Sequence, residues 1–247
     1  MFGTIVNAAA IVAGGTVGVL VKKGIPSHLE EALHRAMGLA VIVIGMNGVI
    51  TNMVTANGDG TLSSSGELLL VFSLVLGVLV GEILRIEEGL NGLSQTVEKK
   101  LHLSGFAASF VSGTLIYCVG AMAIIGSIND GLNADASVLL VKSTLDGISS
   151  IVLGATMGPG VIFAAIPVVL YQGSITLLAG VLSPVLQGEL LRQICAVGYV
   201  LVACIGVNFM SSYHIKTANF LPALLVPPLW AAISALFLRM NRVGGAE

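Results

Sequence analysis

Residues 141–150, VKSTLDGISS, place a lysine, an aspartate and four hydroxyl side chains between two strongly apolar stretches. Lys142 and Asp146 are four residues apart, so a helix would bring the ammonium and the carboxylate onto one face, close enough to pair. A carboxylate accepts hydrogen bonds, a proton or a cation, and an ammonium can neutralise it or donate to an anion. The segment therefore has the groups of a binding site for an ion or small polar solute, with hydroxyls from Ser143, Thr144, Ser149 and Ser150.

The same pair also has a purely structural interpretation. Charged groups at membrane depth cost at least about 2.5 kcal/mol each on insertion scales, so they usually face the bundle interior or a wet cavity. A neutralised Lys142/Asp146 pair could serve only to lock two helices together. Two charges and four hydroxyls exceed what packing requires, which favours the binding site.

Other polar residues interrupt the apolar stretches. Gln172, within VLYQGSIT, lies deep in such a stretch, where its amide needs a hydrogen-bond partner, and we include it in the candidate site. Asn129 and Asp130, within GSINDGLN, are predicted at an outer mouth, as solute contacts or as part of a turn. Single amides that could line a cavity, but are better explained as links between helices, occur at Asn7, Asn47 and Asn208.

The elements that position these residues are predicted to be membrane helices. The chain has 247 residues, of which 55% are hydrophobic and only 10% charged, and its mean hydropathy is +0.99. A soluble domain carries about 25% charged residues, so the bilayer is the expected surrounding. The net charge of −2 argues against a nucleic-acid partner.

The sequence also lacks the patterns of several enzyme and metal sites. Three cysteines lie in apolar runs, which predicts reduced thiols, and no Cys/His cluster has zinc-ligand spacing. Nucleotide-binding loops, metalloprotease helices and serine-hydrolase elbows are missing. We therefore expect a non-enzymatic protein without catalytic residues, metal or cofactor.

Eight apolar stretches have the length needed to cross a bilayer, which takes about 20 residues. They predict an all-α, polytopic helical bundle forming a single integral membrane domain over residues 1–247. Because Lys22 and Lys23 follow the first stretch, we interpret it as a retained span rather than a signal peptide. The stretches are roughly 4–21, 36–54, 67–85, 108–127, 138–157, 161–182, 194–210 and 219–239.

Basic residues predict the orientation. Connectors 22–35 and 85–107 carry lysines and arginines, whereas the connectors at 55–66 and 128–137 carry none, so the first two are predicted to be cytoplasmic. Residues 85–105 are expected to form an amphipathic surface helix. Eight crossings would put Arg192, Arg239 and Arg242 outside. If residues 138–182 are broken near Gly158–Gly160 and make only one net crossing, the chain crosses seven times and these three arginines lie inside. Only Lys216 then lies outside, so the distribution of basic residues, called charge bias below, favours seven crossings.

Two segment pairs resemble each other within the chain. Residues 4–21 align with 144–161, and GLAVIVIGMN at 38–47 resembles GYVLVACIGVN at 198–208. Shared membrane composition explains this as well as an old duplication does, although many transporter folds contain repeats and broken helices. Glycines four residues apart predict close helix packing, and such faces also allow a homo-oligomer; they are Gly14/Gly18, Gly77/Gly81 and Gly154/Gly158.

The runs CVGAMAIIGSINDGL and LLVKSTLDGISSIVLGATMGPGVIFAAIPVVLYQG resemble a bacterial membrane family, domain of unknown function 554 (the YdfK/YqgA type). GTIVNAAAIVAGGTVG, GLAVIVIGMN and NFLPAL fit it as well, so the resemblance spans nearly the whole chain. It implies a multi-pass protein of the bacterial inner membrane. It supplies no activity and no site residue.

Two functions remain open at this point. The polar, glycine-interrupted segment in an apolar chain favours a transporter or channel for an ion or small polar solute. The alternative is a non-transporting structural or accessory membrane protein, in which the Lys142/Asp146 pair only stabilises the fold.

Overall fold

The computed structural model describes residues 1–22, 26–89, 92, 106–211 and 214–234. These residues form helices and one antiparallel hairpin of β1 (Val54–Ala56) and β2 (Leu62–Ser64), which confirms the all-α membrane class. Short helical turns also occur at 86–89 and Ala179–Leu182. The main helices are α1 (Phe2–Lys22), α2 (Ser27–Met53), α3 (Glu67–Leu84), α4 (Phe106–Cys118), α5 (Ala121–Asn133), α6 (Ser137–Met157), α7 (Gly160–Leu177), α8 (Gly188–Met210) and α9 (Thr217–Ser234).

Seven of these helices contain segments long and apolar enough to cross a membrane, namely all except α4 and α5. Helix α7 joins two segments, Gly160–Phe163 and Ala165–Leu177, and α9 begins as a 3-10 helix over Thr217–Leu225. Helices α4 and α5 together have the length of a further span, but they are bent by 61°.

Glycines allow three helix pairs to pack backbone against backbone. A Cβ atom at Gly14 or Gly18 of α1 would collide with the carbonyl oxygens of Gly147 or Ile151 in α6. Gly77 and Gly81 of α3 likewise contact the backbone of α9, while α2 and α8 approach each other at Gly45. The predicted close packing is confirmed for Gly14, Gly18, Gly77, Gly81 and Gly154, each of which contacts another helix of the same chain, whereas Gly158 ends α6.

The glycine contacts also show whether the paired helices run parallel or antiparallel. Gly3 lies against Leu139 and Gly18 against Ile151, so α1 and α6 are parallel. In contrast, Gly38 lies against Met210 and Gly48 against Tyr199, so α2 and α8 are antiparallel. One duplication would give both resembling pairs the same relative direction, so it does not explain both.

The bent pair α4–α5 connects the two ends of the bundle. The Phe106 carbonyl lies where a side chain of Gly160, at the start of α7, would be. At the other end of the pair, Asp130 accepts a hydrogen bond from Gly3, at the start of α1. We call the end with Asp130 and the β1–β2 hairpin the hairpin end, and the end with Lys22 and the start of α7 the Lys22 end.

The broken span is therefore α4–α5 and not residues 138–182, where charge bias favoured a break. Gly158, with φ of 110°, ends α6, and α7 follows as a separate span, so the glycines at 158–160 connect two crossings. The break lies between α4 and α5, at Gly120, whose φ of 126° is accessible mainly to glycine. With the bent pair counted as one span, the described residues contain eight candidate membrane spans.

Arg192 is one of the three arginines that led charge bias to favour seven crossings. In the eight-crossing arrangement it lies at the hairpin end, where its guanidinium donates to the carbonyls of Asn52 and Val54 at 3.1 and 3.3 Å. This cation stabilises the carbonyl end of α2, so local hydrogen bonding rather than orientation accounts for its position. Lys23, Lys99, Lys100, Arg239 and Arg242 lie outside the described residues, as does most of the surface helix predicted at 85–105.

Candidate functional site

The site is built around an ion pair on the buried face of α6. Lys142 Nζ lies 2.9 Å from Asp146 Oδ1 and 2.7 Å from Oδ2. The two side chains are only 8% and 9% exposed. The pairing predicted from the four-residue spacing is confirmed.

Two amides from other helices complete this cluster. Asn7 of α1 donates from Nδ2 to Asp146 Oδ2 at 3.0 Å and to Gln172 Oε1, on α7, at 3.4 Å. Asn7 and Gln172 are both fully buried. Hydrogen bonds thus join α1, α6 and α7. The Gln172 side-chain oxygen has a buried partner in Asn7, as expected for an amide deep in an apolar stretch.

The carboxylate of Asp146 has donors on both oxygens. Lys142 donates to Oδ1 and Oδ2, and Asn7 donates to Oδ2. The ammonium and the carboxylate neutralise each other. This cluster, formed by Asn7, Lys142, Asp146 and Gln172, is called the α6 polar cluster below.

Polar atoms beside the α6 polar cluster lack partners within the described part of the chain. They are Asn7 Oδ1, Gln172 Nε2 and Thr4 Oγ1, all in residues with no exposed surface. Thr4 and Asn7 are three residues apart on α1, which puts them on the same helix face. An unsatisfied buried polar group costs about 1–3 kcal/mol, so three of them together indicate a place where a further hydrogen-bonding molecule would be stabilised.

A second hydrogen-bond chain links the cluster to the broken span. Ser150 donates from Oγ to the Asp146 carbonyl oxygen at 2.6 Å, one turn along α6. The hydroxyls of Ser150 and Tyr117 are 2.7 Å apart. Because the Ser150 proton is used towards Asp146, Tyr117 donates to Ser150. Tyr117 lies in the last turn of α4, next to the break.

The predicted hydroxyls divide between two faces of α6. Ser143 is buried on the face of Lys142 and Asp146, and its hydroxyl donates to the Leu139 carbonyl at 2.6 Å. Thr144 is exposed, and its hydroxyl donates to Leu140 at 3.2 Å, so it does not join the cluster. Ser149 is half-buried.

Asn129 and Asp130 lie at the hairpin end and not in the α6 polar cluster. Asp130 is buried, and its Oδ2 accepts from the Gly3 amide at 3.1 Å and pairs with the Met1 ammonium at 2.7 Å. Asn129 is half-buried. Asp130 therefore fixes the start of α1, one helical turn from Asn7.

Sequence reasoning assigned Asn7 to helix linkage and overlooked Thr4 and Tyr117. The available signal was the three-residue spacing of Thr4 and Asn7 in a stretch of Gly, Ala, Val and Ile. Nothing in the sequence singled out Tyr117. Among the described residues, no group of three or more His, Cys, Asp or Glu side chains could hold a metal ion.

The chain is similar to known proteins over nearly its whole length. The family model described as "Protein of unknown function (DUF554)" matches residues 2–232. The chain is 34% identical over 229 residues to the "Uncharacterized membrane protein YdfK" of Bacillus subtilis, covering 93% of this chain and 95% of the relative. It is 28% identical over 245 residues to the "Uncharacterized protein YqgA" of Escherichia coli, covering 96% and 99%. No solved structure matches it.

Proposed function

The chain belongs to the DUF554 family, and we propose that it is a membrane transporter or channel for an ion or small polar solute, with its binding site at the α6 polar cluster. The observation that carries the proposal is a buried ion pair bonded to amides from two further helices, beside three unpartnered polar atoms.

Helix packing alone gives a poor account of this cluster. Lys142 and Asp146 belong to one helix, so their ion pair does not itself join two helices. Helices α1 and α6 already pack closely through Gly14, Gly18 and Gly154. Buried ion pairs are often replaceable by apolar residues with no loss of stability. A binding role gives the charges a function that packing does not require.

The broken span supports the same proposal. Transporters often build their sites beside interrupted helices, because the interruption frees backbone groups and allows the two halves to move separately. Here Tyr117, in the last turn before the break, is hydrogen-bonded to Ser150. Movement of α4 would therefore be transmitted to the turn of α6 that carries Asp146.

The proposal includes an orientation and a location. Basic residues concentrate in the connectors at the Lys22 end, which we assign to the cytoplasm of a bacterium, with the protein in the inner membrane. We propose no catalytic activity, cofactor or nucleic-acid partner for it. Lipid and the transported solute are its proposed partners.

Asp146→Asn tests the proposed site, with Asp135→Asn as the matched control. Asp135 is an exposed carboxylate in the α5–α6 connection. Purified protein would be reconstituted into vesicles and screened for fluxes of Na⁺, K⁺, Cl⁻, H⁺, glycerol and urea. We expect Asp146→Asn to abolish the flux shown by the unmodified protein and Asp135→Asn to retain it. Equal flux in the two variants would remove Asp146 from the site.

The structural alternative is favoured by one observation, which is that every oxygen of the Asp146 carboxylate already has a donor within the protein. Exchanging the charges, Lys142→Asp together with Asp146→Lys, distinguishes the two functions. A structural pair should survive this exchange with its stability and cellular phenotype retained, whereas a binding site should lose transport.

A further inference from the structure

We infer that the α6 polar cluster and Thr4 bind a small uncharged solute that both donates and accepts hydrogen bonds, rather than a metal cation or an anion. This inference rests on the proposed function and specifies its substrate class. It follows from which atoms of the cluster are already paired and which remain free.

A metal cation is disfavoured by the position of Lys142. Its ammonium lies within 2.9 Å of both carboxylate oxygens, and Asn7 donates to one of them from its amide nitrogen. A cation approaching Asp146 would meet a like charge and donor hydrogens at the only carboxylate of the cluster. No other carboxylate of the described residues forms a metal-ligand group there.

An anion is disfavoured by the same pairing. The ammonium of Lys142 is directed at Asp146, so an anion bound to Lys142 would lie against the carboxylate. The ion pair has no net charge, and the nearby polar side chains, Asn7, Gln172 and Thr4, are neutral. An uncharged ligand avoids both repulsions, because it needs no counter-charge from the protein.

The free atoms instead match both hydrogen-bonding roles of a neutral solute. Asn7 Oδ1 accepts, Gln172 Nε2 donates, and the Thr4 hydroxyl can do either. All three residues are completely buried, so a partner must come from inside the bundle. A hydroxyl- or amide-bearing molecule supplies a donor to Asn7 and an acceptor to Gln172 together.

The spacing of these groups limits the size of the solute. Thr4 and Asn7 lie one turn apart on α1, with about 5–6 Å between their Cβ atoms. A molecule of a few heavy atoms spans that distance. Transport of such a molecule carries no charge, so its rate should not respond to the membrane potential.

The test uses glycerol and urea as probes. Full-length protein in vesicles would be exposed to an inward gradient of each probe, and entry would be followed by stopped-flow light scattering with the membrane potential clamped at several values. Fluxes of Na⁺, K⁺, Cl⁻ and H⁺ would be measured on the same vesicles. We expect entry of at least one neutral probe above the rate of protein-free vesicles, independent of potential.

Two near-isosteric variants assign that flux to the inferred groups. Thr4→Val and Gln172→Met remove the free hydroxyl and the free amide, and each should lower the flux by about tenfold or more, the equivalent of one lost hydrogen bond. Thr16→Val is the control, because Thr16 is exposed on α1 and its hydroxyl donates to Val12. The melting temperature of Thr4→Val should not fall, since its hydroxyl has no protein partner to lose.

The outcomes separate the substrate class from transport itself. Potential-independent flux that depends on Thr4 and Gln172 but not on Thr16 supports the inference. A flux of ions lost in Asp146→Asn, with neutral probes at the protein-free rate, overturns the inference and retains the transporter. Absence of any protein-dependent flux overturns both. A lower melting temperature with unchanged flux in Thr4→Val shows that this hydroxyl is structural.

Discussion

Lys142 and Asp146 stabilise each other in an environment where either charge alone would be strongly unfavourable. Both side chains are more than nine-tenths buried within α6, and Asn7 is bonded to the carboxylate. Removing one member of such a pair leaves an uncompensated buried charge, whereas replacing both by apolar residues removes the electrostatic problem. The two kinds of substitution should therefore separate stability from function.

Lys142→Met should destabilise the protein by about 3–5 kcal/mol, because Asp146 is left without its ammonium. The double variant Lys142→Met with Asp146→Leu should recover most of this loss but remain inactive in transport. Thermal unfolding in detergent measures the first effect and vesicle flux the second. An active double variant would show that the charges serve only to compensate each other.

Lys216 provides an exposed ion pair for comparison. It contacts Glu82 at 3.2 Å and Glu88 at 2.7 Å near the Lys22 end. The hydrogen bond from Lys216 lowers the pKa of Glu88, and the hydrogen bonds to Glu88 and Glu82 raise the pKa of Lys216. This contact joins the turn after α3 to the chain just before α9.

The contribution of the Lys216 pair to stability should depend on pH in a defined direction. Because folding lowers the pKa of Glu88, the ionised Glu88 side chain stabilises the folded state at pH values above its pKa in the unfolded chain. This stabilisation is lost as the pH falls through the pKa that Glu88 has in the folded state. Because the pKa of Lys216 is raised, its contribution is lost only as pH rises through its folded value. The melting-temperature difference between the unmodified protein and Lys216→Met should be small and should vanish in acid and in high salt. A difference that persists in acid would mean that Lys216 stabilises through packing.

Only some of the contacts in the α6 polar cluster could be predicted from the sequence. The four-residue spacing was enough to predict the Lys142/Asp146 pair, since both residues lie on one helix. Asn7 could not be assigned in this way, because its bond to Asp146 joins residues 139 apart in the chain. Only the packing of α1 on α6 brings these two side chains together.

At the scale of helices, glycine determines how closely α1 and α6 approach. Gly14 faces the Gly147 carbonyl, with no room for a side chain. The approach also positions Asn7 for its bond to Asp146. Packing and site geometry therefore depend on the same contact.

Gly14→Ala should destabilise the protein by about 1–3 kcal/mol, as overpacking does in well-packed interiors. It should also weaken transport, because separating α1 from α6 lengthens the Asn7–Asp146 bond. Gly180→Ala is the control, since a Cβ atom there would have no neighbour within 4 Å. Melting temperature and flux, measured on both variants, check this prediction. Equal behaviour of Gly14→Ala and Gly180→Ala would contradict it.

The break between α4 and α5 offers a second test of helix geometry. Gly120 has φ of 126°, and its missing Cβ would lie 2.9 Å from the Tyr199 hydroxyl. Gly120→Ala should cost about 1–3 kcal/mol from backbone strain, with a further steric cost. Adding Tyr199→Phe should relieve only the steric part, as measured by thermal unfolding. Full recovery in the double variant would show that the backbone conformation itself is not strained.

The location of the break could not be predicted from local sequence. Gly158, Pro159 and Gly160 form the more conspicuous interruption, yet they connect two complete spans. Gly120 is a single glycine in an apolar run, and contacts with α8 surround it: Val119 packs against Gly198, and Tyr199 lies beside Gly120. Sequence pattern indicates where a helix can be interrupted, whereas tertiary contacts decide which interruption bends a span.

For the whole molecule, eight crossings put the hairpin and the 183–187 connection on the same side of the membrane. The seven-crossing alternative puts them on opposite sides. Charge bias alone favoured seven because eight crossings put Arg192, Arg239 and Arg242 outside. Of these three, Arg192 is hydrogen-bonded to the end of α2, and the other two lie outside the described residues. Composition and span length predicted the membrane class correctly, since they depend on average hydrophobicity rather than on particular contacts.

Single cysteines can distinguish these two topologies. In a variant whose native Cys118, Cys195 and Cys204 are replaced by alanine, cysteines would be introduced at Thr61, Gln187 or Glu88. With a thiol reagent that does not cross membranes, we expect Thr61→Cys and Gln187→Cys to react from one side and Glu88→Cys from the other. Reaction of Gln187→Cys from the side of Glu88→Cys would favour seven crossings.

The parallel pairing of α1 with α6 also sets an order for biosynthesis. Helix α1 is made first, but the carboxylate that Asn7 contacts follows 139 residues later. At translation rates of about 5–20 residues per second, that interval is roughly 7–28 s. During this time, the face of α1 that carries the Asn7 amide, Gly14 and Gly18 is not yet covered by α6. Slow translation before residue 146 should therefore prolong this uncovered state and increase degradation of the nascent chain.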